Sequence, residues 1–546
     1  MDFVLTLHSH LPYVLHHGRW PHGSDWLCEA ALDTYLPLLE VLQALDAQRV
    51  PAPLTIGFTP VLANQLANPS FTTELEAFFD QRATACAEAP AGLAETGDTA
   101  LLPLVEFWKA RFARLRNLFH SIDCDIVSAF RRLQDEGRLE IIGSAATHGY
   151  LPLLARDESI RLQLAVGRSE HRRLFGRDPA GCWVPECAYR PRAGPRPGIE
   201  EHLGAAGFRY FFTDAHLAQA GDALGSYGEA PLGAERFDAD RPEMPAKPEG
   251  PIVRSPYQAY RVTQARSRRP VAALVRDPRS SMQVWSRHLG YPGDGSYLEF
   301  HKIRWPGGLK LWRVTGANVD LGGKGAYDPA AALRRVGDHA RHFAHLVAGI
   351  AAEGGAGATR PQVVVAPFDT ELFGHWWFEG VDFLAAVYRE LRHHPGVRPT
   401  PASRHVMDHP PRVGLQLAEG SWGVNGDHSM WLNDRTAWTW SRLRALETKF
   451  WKAAPAALKS ARTRPVLAQA ARELLLAQAS DWQFMISTGA VPDYAERRFK
   501  LHCDDAERLI TGLADGADVE RLVDDLARRD DLFPDVLASV AEVLRV

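Results

Sequence analysis

Two carboxylates in this sequence each follow a short apolar run and open a segment rich in aromatic and hydrogen-bonding residues. Trp183-Val-Pro-Glu186-Cys-Ala-Tyr189-Arg190-Pro sets a glutamate directly after a strand-like run, among turn-forming prolines. Val363-Val-Val-Ala-Pro-Phe-Asp369-Thr-Glu371-Leu-Phe-Gly-His375-Trp376-Trp377 ends a strongly apolar run on an aspartate. Taken singly, Glu186 reads equally well as a helix cap or as the ion-pair partner of Arg190, and Glu371 competes with Asp369 for any acidic role. Taken together, Glu186 and Asp369 suit glycoside cleavage. That chemistry needs one carboxylate to attack the anomeric carbon and a second group to protonate the leaving oxygen. The acid must keep its proton near neutral pH, which calls for burial and a charged neighbour. A carboxyl separation of ~5–5.5 Å would set the retaining route.

His8-Ser9-His10 follows the first apolar run. Residues i and i+2 of a strand point to one face, so the two imidazoles can converge. With His148 they form either a metal site, completed by Asp214 or Asp369, or a set of hydrogen-bonding groups for sugar hydroxyls; the spacing alone is a weak metal signal. Aromatic residues beside Gly and polar groups recur at Trp20-Pro-His-Gly, Gln283-Val-Trp285, Tyr291-Pro-Gly-Asp294, and Ser421-Trp422-Gly through Asp427-His428 to Trp431. A single tryptophan is most simply a large core residue. Clustered in polar, Gly-rich segments, these indoles instead suit a groove for several sugar units, as do His375 and Trp376. No phosphate-binding Gly-rich loop and no Gly-x-Ser-x-Gly elbow appears in a fitting context.

Seven apolar runs of strand length must position these groups: Phe3–Leu7, Leu54–Phe58, Leu139–Ile142, Cys182–Val184, Tyr210–Phe212, Ala272–Val275 and Val363–Ala366. Helical stretches separate most of them, as in a parallel sheet with helical crossovers. Each run ends on polar or ionisable residues: His8 to His10, Thr59, Ser144 to His148, Glu186, Thr213-Asp214, Arg276-Asp277 and Asp369. An α/β barrel puts its active site at those carboxyl ends. The fold expected is therefore a distorted, TIM-like (β/α)7 barrel with helical insertions and an all-helical C-terminal domain. The first part of the barrel spans 1–186 with a helical excursion at about 61–138. A small inserted helical region follows at 187–230, then the second part of the barrel at 231–410, and the helical domain at 411–546. A Pro-rich stretch at 228–256 reads as a surface loop, either a lid or a neutral linker. Within the excursion and the C-terminal domain, helices are expected at Leu104–Leu118, Asp125–Leu133, Asp434–Lys452, Pro465–Ser480, Pro492–Leu513 and Val519–Ala527.

The 546 residues exceed one simple core, and a formal net charge of −4 shows no basic stripe, so nucleic acid is not an expected partner. The six cysteines form no CxxC pair and no dense framework, which fits a reducing cytoplasm. The N-terminus lacks the basic and apolar regions of a signal peptide. No apolar run reaches the ~20 residues of a membrane span.

These segments together resemble glycoside hydrolase family 57, and within it the α-1,4-glucan branching members. The matching stretches are 8–26, 143–154, 183–191, 283–300, 366–377 and 421–433, in the family's order and over most of the chain. The resemblance implies a (β/α)7 barrel, a retaining double displacement with no metal or organic cofactor, an α-glucan partner, and a role in glycogen-type metabolism. It implies Glu186 as nucleophile and Asp369 as acid/base. It puts His10 and His148 near the scissile bond and assigns Trp20, Trp285, Trp422 and Trp431 to glucan binding and branching. Asp481 matches a helical-domain position near the site. One feature departs from the family: branching members carry a tyrosine on a loop between the fifth and sixth strand regions, whereas no tyrosine lies between Tyr227 and Tyr257 here. An α-amylase or a 4-α-glucanotransferase on the same scaffold shares the first half-reaction. More distant readings are a metal-dependent deacetylase using His8, His10 and His148, and a catalytically silent carbohydrate-binding protein. A cytoplasmic monomer is expected.

Overall fold

The structure is a computed structural model that describes residues 1–226, 254–262, 269–286, 290–355, 361–515 and 519–545. Its centre is a ring of seven parallel strands: β1 (Asp2–Ser9), β2 (Leu54–Phe58), β3 (Leu139–Ser144), β4 (Gly181–Trp183), β5 (Tyr210–Thr213), β6 (Val271–Val275) and β7 (Val363–Asp369). All seven apolar runs of the sequence thus become barrel strands. Their residues are buried almost without exception, as the near-continuous apolar runs of a parallel sheet demand. The strands pair in sequence order, and β1 closes the ring by pairing along its length with β7, from Asp2 opposite Val363 to His8 opposite Asp369. The seam between β6 and β7 is much thinner. It is a single bridge, Arg276 opposite Val365, with the Asp277 amide donating to the Val365 carbonyl at 2.8 Å. The barrel is therefore closed but distorted.

Close packing also fixes residue choice in β4, where a Cβ at Gly181 would lie 2.2 Å from the Tyr210 ring. The excursion after β2 is helical, with helices Pro60–Leu66, Pro69–Thr96, Leu102–Ser121 and Ile126–Asp135. Local chemistry sets their ends: the Asn68 side chain accepts from the Ser70 amide, Asp125 accepts from Ser128, and Gly97 stops the long helix in the left-handed region at φ 78°.

Two boundaries differ from the sequence expectation. The stretch 187–230 is not purely a helical insertion: its described residues hold two short helices, Ile199–Ala205 and Ala215–Ala220, with the barrel strand β5 between them and the strand Asp222–Ser226 after them. The part of the chain after 410 is not helical from its start. Val413–Gln416 is a strand that pairs antiparallel with Asp222–Ser226 and parallel with Tyr260–Val262, which in turn pairs antiparallel with β6. Four residues of alternating Val, Gly, Leu and Gln carry little periodic signal, so this ladder was not legible locally. The Pro-rich stretch 228–256 lies, but for its last three residues, outside the described residues.

Helices Ala437–Ala457, Arg464–Ala477, Asp481–Thr488, Pro492–Asp515, Glu520–Arg529 and Val536–Val543 form the C-terminal part. It is riveted to the barrel beside β3. The Ser480 amide donates to the His148 carbonyl at 3.2 Å, Thr147 Oγ1 donates to the Leu475 carbonyl, and Gln163 Nε2 donates to Gln478 Oε1 at 3.0 Å. Among the described residues, no helix is long and apolar enough to cross a membrane.

Candidate active site

Glu186 sits one turn beyond β4, and the chain there is strained. Glu186 has φ 61° and Cys187 φ 48°, a left-handed pair in which neither residue is glycine. Such positions cost of order 1–3 kcal/mol each and persist only where the surroundings over-determine them. Trp422 does this from the far segment: its amide donates to the Glu186 carbonyl at 3.0 Å and its indole Nε1 to Glu186 Oε2 at 2.8 Å. The other carboxylate oxygen, Oε1, lies 3.8 Å from Nδ1 of His148, itself left-handed at φ 57°.

Asp369 ends β7 directly opposite His8 of β1. His8 Nε2 lies 3.0 Å from His148 Nε2, and His148 in turn faces Glu186. Burial holds both of these histidines well below their ordinary pKa, so both are neutral. His10 is held on each ring nitrogen: Nδ1 lies 3.0 Å from Thr59 Oγ1, and Nε2 2.9 Å from Asp481 Oδ2. Asp481 and Ser480, which meets His148 Nδ1 at 2.9 Å, both come from the C-terminal helical part. That part therefore helps to build the barrel mouth.

Burial raises both carboxyls. Glu186 is pushed up to about 8, against the Trp422 hydrogen bond, with the Asp369 and Asp481 charges adding to the rise. Asp369 is raised to about 6 by burial, opposed by His10 and by the Arg276 guanidinium. Between those values the pair carries one proton and one negative charge. The surroundings favour that proton on Glu186, the carboxyl with the higher pKa. Glu371, also pushed up to about 8 by burial, accepts at Oε1 from the Tyr35 hydroxyl at 2.5 Å and from the His10 amide at 3.1 Å.

The aromatic residues singled out in the sequence separate into three settings. Trp422 belongs to the carboxylate itself. Trp20 and Trp376 are 69% and 53% exposed, Trp285 is 40% exposed, and Trp20 meets Trp305 edge to face at 6.2 Å. Trp431 departs from the expectation of a sugar-stacking face. It is 1% exposed, stacked on Tyr150 at 4.6 Å, so it supports the wall instead of presenting a ring to solvent. Tyr150 in turn meets His428 Nδ1 at 2.8 Å.

Sequence reasoning recorded Arg276 only as a strand ending. Its guanidinium lies 5.3 Å from the Trp422 ring, donates to Asp214 Oδ2 at 2.9 Å and to Ser281 at 2.7 Å, and so braces the residue that holds Glu186. Trp183, buried and stacked on His8 at 4.7 Å, was also read only as part of a strand. A basic residue at a strand end was the available signal for the first; the second had none beyond its neighbourhood.

The imidazoles of His8, His10 and His148 do not converge on a point. They lie in a stack, His8 to His148 at 4.9 Å and His10 to His148 at 4.1 Å with 20° between planes, and the nitrogens of His10 and His148 are engaged as described. Among the described residues, clusters with metal-ligand spacing lie elsewhere, at Asp2-His405-His409, His17-His502-Asp530 and Glu76-His120-Cys124. In each a guanidinium already neutralises the carboxylate: Arg398 on Asp2 and Arg529 on Asp530, both at 2.7 Å, and Arg116 on Glu76 at 2.6 Å.

A closed parallel barrel with two half-buried carboxyls of raised pKa at its carboxyl-end mouth defines a barrel protein of the glycosidase class. Comparison with known proteins gives the family: residues 4–417 match the profile of glycosyl hydrolase family 57, and the chain belongs to it. Residues 442–540 match the profile described as 1,4-alpha-glucan branching enzyme, C-terminal. A 1,4-alpha-glucan branching enzyme of Thermococcus kodakarensis is 38% identical over 98% of this chain and 78% of that protein. The crystal structure of a GH57-type branching enzyme from Pyrococcus horikoshii is also 38% identical and superposes with a TM-score of 0.87, covering 98% of this chain and 96% of that one. The alpha-amylase AmyC of Thermotoga maritima is 29% identical with a TM-score of 0.82, over 99% of both chains.

Proposed function

We propose that this chain is an α-1,4-glucan branching enzyme acting by retaining double displacement. Glu186 attacks the anomeric carbon and holds the fragment as a covalent glucosyl ester. Asp369 protonates the departing 4-oxygen, then takes the proton from the incoming 6-hydroxyl as that oxygen displaces Glu186. The proton count balances, because the pair starts and ends each cycle with one proton. Moving that proton from Glu186 to Asp369 is part of substrate binding, and the Trp422 hydrogen bond, which favours the ionised form of Glu186, assists it. His10, His148 and Asp481 orient the sugar at the mouth. Trp20, Trp285, Trp376 and Trp422 offer faces or edges to the glucan, and Trp431 backs the wall. No metal or organic cofactor takes part, and the protein works as a cytoplasmic monomer in glycogen-type glucan metabolism.

The observation that carries the reading is the entry of the C-terminal helical part into the mouth through Asp481 and Ser480. The part of the chain that resembles branching enzymes at the C-terminus is thereby joined to the catalytic histidines. The likeness to an alpha-amylase at 29% identity favours hydrolysis as the second reading. Acceptor choice, water or a 6-hydroxyl, separates the two. Incubation with amylose, followed by debranching and proton NMR, decides between them. New α-1,6 signal with little growth of reducing ends is the expected result; reducing ends rising without that signal would make the chain an amylase.

A further inference from the structure

The ladder between β1 and β7 ends on the pair His8–Asp369, and His10 lies two residues beyond that last pair. Two side-chain contacts continue it. Ser9 Oγ meets Thr370 Oγ1 at 2.7 Å, and Glu371 Oε1 takes the His10 amide at 3.1 Å. Glu371 is almost fully buried, and its other donor, the Tyr35 hydroxyl at 2.5 Å, reaches it from a fully buried ring.

Tyr35 lies in a π turn, Ala31–Tyr35, set between helices Ser24–Ala30 and Leu36–Ala47. A π turn adds a residue to a helix and re-aims the side chains on it. Here it aims three successive residues at the loop after β7. Tyr35 holds Glu371, and Thr34 Oγ1 accepts from the His375 amide at 3.1 Å. The Asp33 carbonyl lies so close to Gly374 that a Cβ there would come within 2.0 Å, and Gly374 has φ 111°. The loop that begins at Asp369 is thus seated on the π turn along its whole course to His375.

We infer that Tyr35 and Glu371 are positioning residues for the reaction: one buried oxygen, held by Tyr35, ties the end of β1 to the end of β7 and so keeps His10 and Asp369 in a fixed relation. Glu371 acts here as a hydrogen-bond acceptor and transfers no proton to substrate. The inference rests on Asp369 as the acid/base of the proposed reaction. Displacement of a reacting group by about 1 Å costs on the order of 100-fold in rate, so a loosened seam is read in kcat while sugar binding elsewhere holds KM.

The test uses the full chain with Glu371→Ala, Glu371→Gln, Tyr35→Phe and, as a reference, Asp369→Asn, each assayed over a range of amylose concentrations and crystallised. Glu371→Ala should lose roughly 10–100-fold in kcat with KM near wild type, and Tyr35→Phe should lose less. Glu371→Gln keeps a carbonyl oxygen for both donors and should retain most of the wild-type kcat. A wild-type kcat in folded Glu371→Ala overturns the inference. So does a Glu371→Gln variant as inactive as Asp369→Asn, since that would make Glu371 a proton carrier. If Glu371→Ala fails to fold, Tyr35→Phe removes a single hydroxyl and is read in the same way. If the wild type cleaves amylose without forming α-1,6 linkages, the branching reading fails while the cleavage rates still test the seam. Were there no cleavage at all, the crystal structures would decide: His10 and Asp369 unmoved within ~0.5 Å in Glu371→Ala would overturn the inference.

Discussion

The two carboxyls at the barrel mouth and Asp530, in a second polar region of this chain, are treated in opposite ways. At the barrel mouth, Glu186 and Asp369 are both raised, to about 8 and about 6, because burial outweighs the few groups that favour their charge. Where the loop after β1 meets the C-terminal helices, Asp530 is held well below the usual carboxylate range. His17 Nε2 and Arg529 Nη2 each lie 2.7 Å from it, and together with the nearby His502 they outweigh its full burial. Its neighbour Glu473, bonded to His502 at 2.8 Å, is raised well above the usual range and keeps its proton. The second region spends its charge on joining Tyr13–His17 to three helices. The first leaves its charge unpaired, which is the state a sugar-cleaving site needs and a structural network avoids.

The sharpest way to break the comparison is to remove charge from the reactive region. Glu186→Gln should lower turnover on amylose by on the order of 10⁴-fold or more, since in the proposed mechanism no other group forms the ester. For the wild type, turnover should trace a bell against pH, with limbs near about 6 and about 8 that belong to the pair. Below the first limb no carboxylate is free to attack; above the second no proton remains to donate. A rate that climbs steadily through pH 9 would sink the shared-proton account.

The same kind of change in the paired region should act on stability. Asp530→Asn removes one of the two carboxylates on Arg529, Asp505 at 2.8 Å being the other, and the charged acceptor of His17; it should cost roughly 1–3 kcal/mol, read by denaturant unfolding at pH 7. Because the folded-state pKa of Asp530 is depressed, its contribution is complete above the unfolded value and is lost as pH falls below it. The penalty of the variant should therefore shrink in acid.

For Glu186→Gln the sign reverses. A carboxyl raised to about 8 destabilises the fold as pH climbs from the unfolded value toward 8, so the inactive variant should be more stable than wild type at pH 8, by roughly 1–3 kcal/mol, and indistinguishable near pH 4. Equal stability at pH 8 would mean that the mouth stores no such cost.

Much of this was legible in the sequence, for identifiable reasons. The seven strands were readable because a parallel barrel buries both faces, leaving unbroken apolar runs that end abruptly on polar residues. That Glu186 and Asp369 stand at the barrel mouth was readable because each is the first ionisable group after such a run. Helices with strong stripes, such as Ile126–Asp135, were found; the short Asp481–Thr488 and Val536–Val543 were not, because two turns hold too little periodicity. The side ladder around Val413–Gln416 and the contacts of Arg276, Tyr35 and Asp481 depend on partners more than 50 residues away, and no local pattern announces them. Trp431 shows the limit most plainly, since the same residue type in a similar Gly-rich setting ends buried there and exposed at Trp20.

That last contrast yields the smallest effect. Trp376 stands half exposed beside Phe300, at 5.7 Å between ring centres, and makes few enclosing contacts, so Trp376→Ala should leave the unfolding midpoint within about 0.5 kcal/mol of wild type. If its face meets glucan, losing one stacking platform should raise KM for amylose by roughly 3- to 10-fold and spare kcat, because an interaction made equally in the ground and transition states is lost from binding alone. Short maltooligosaccharides that do not reach the indole should show no change. A KM that stays put for long chains would remove Trp376 from the glucan path. A fall in kcat instead would place it beside the reacting sugar, in the same class as Trp422.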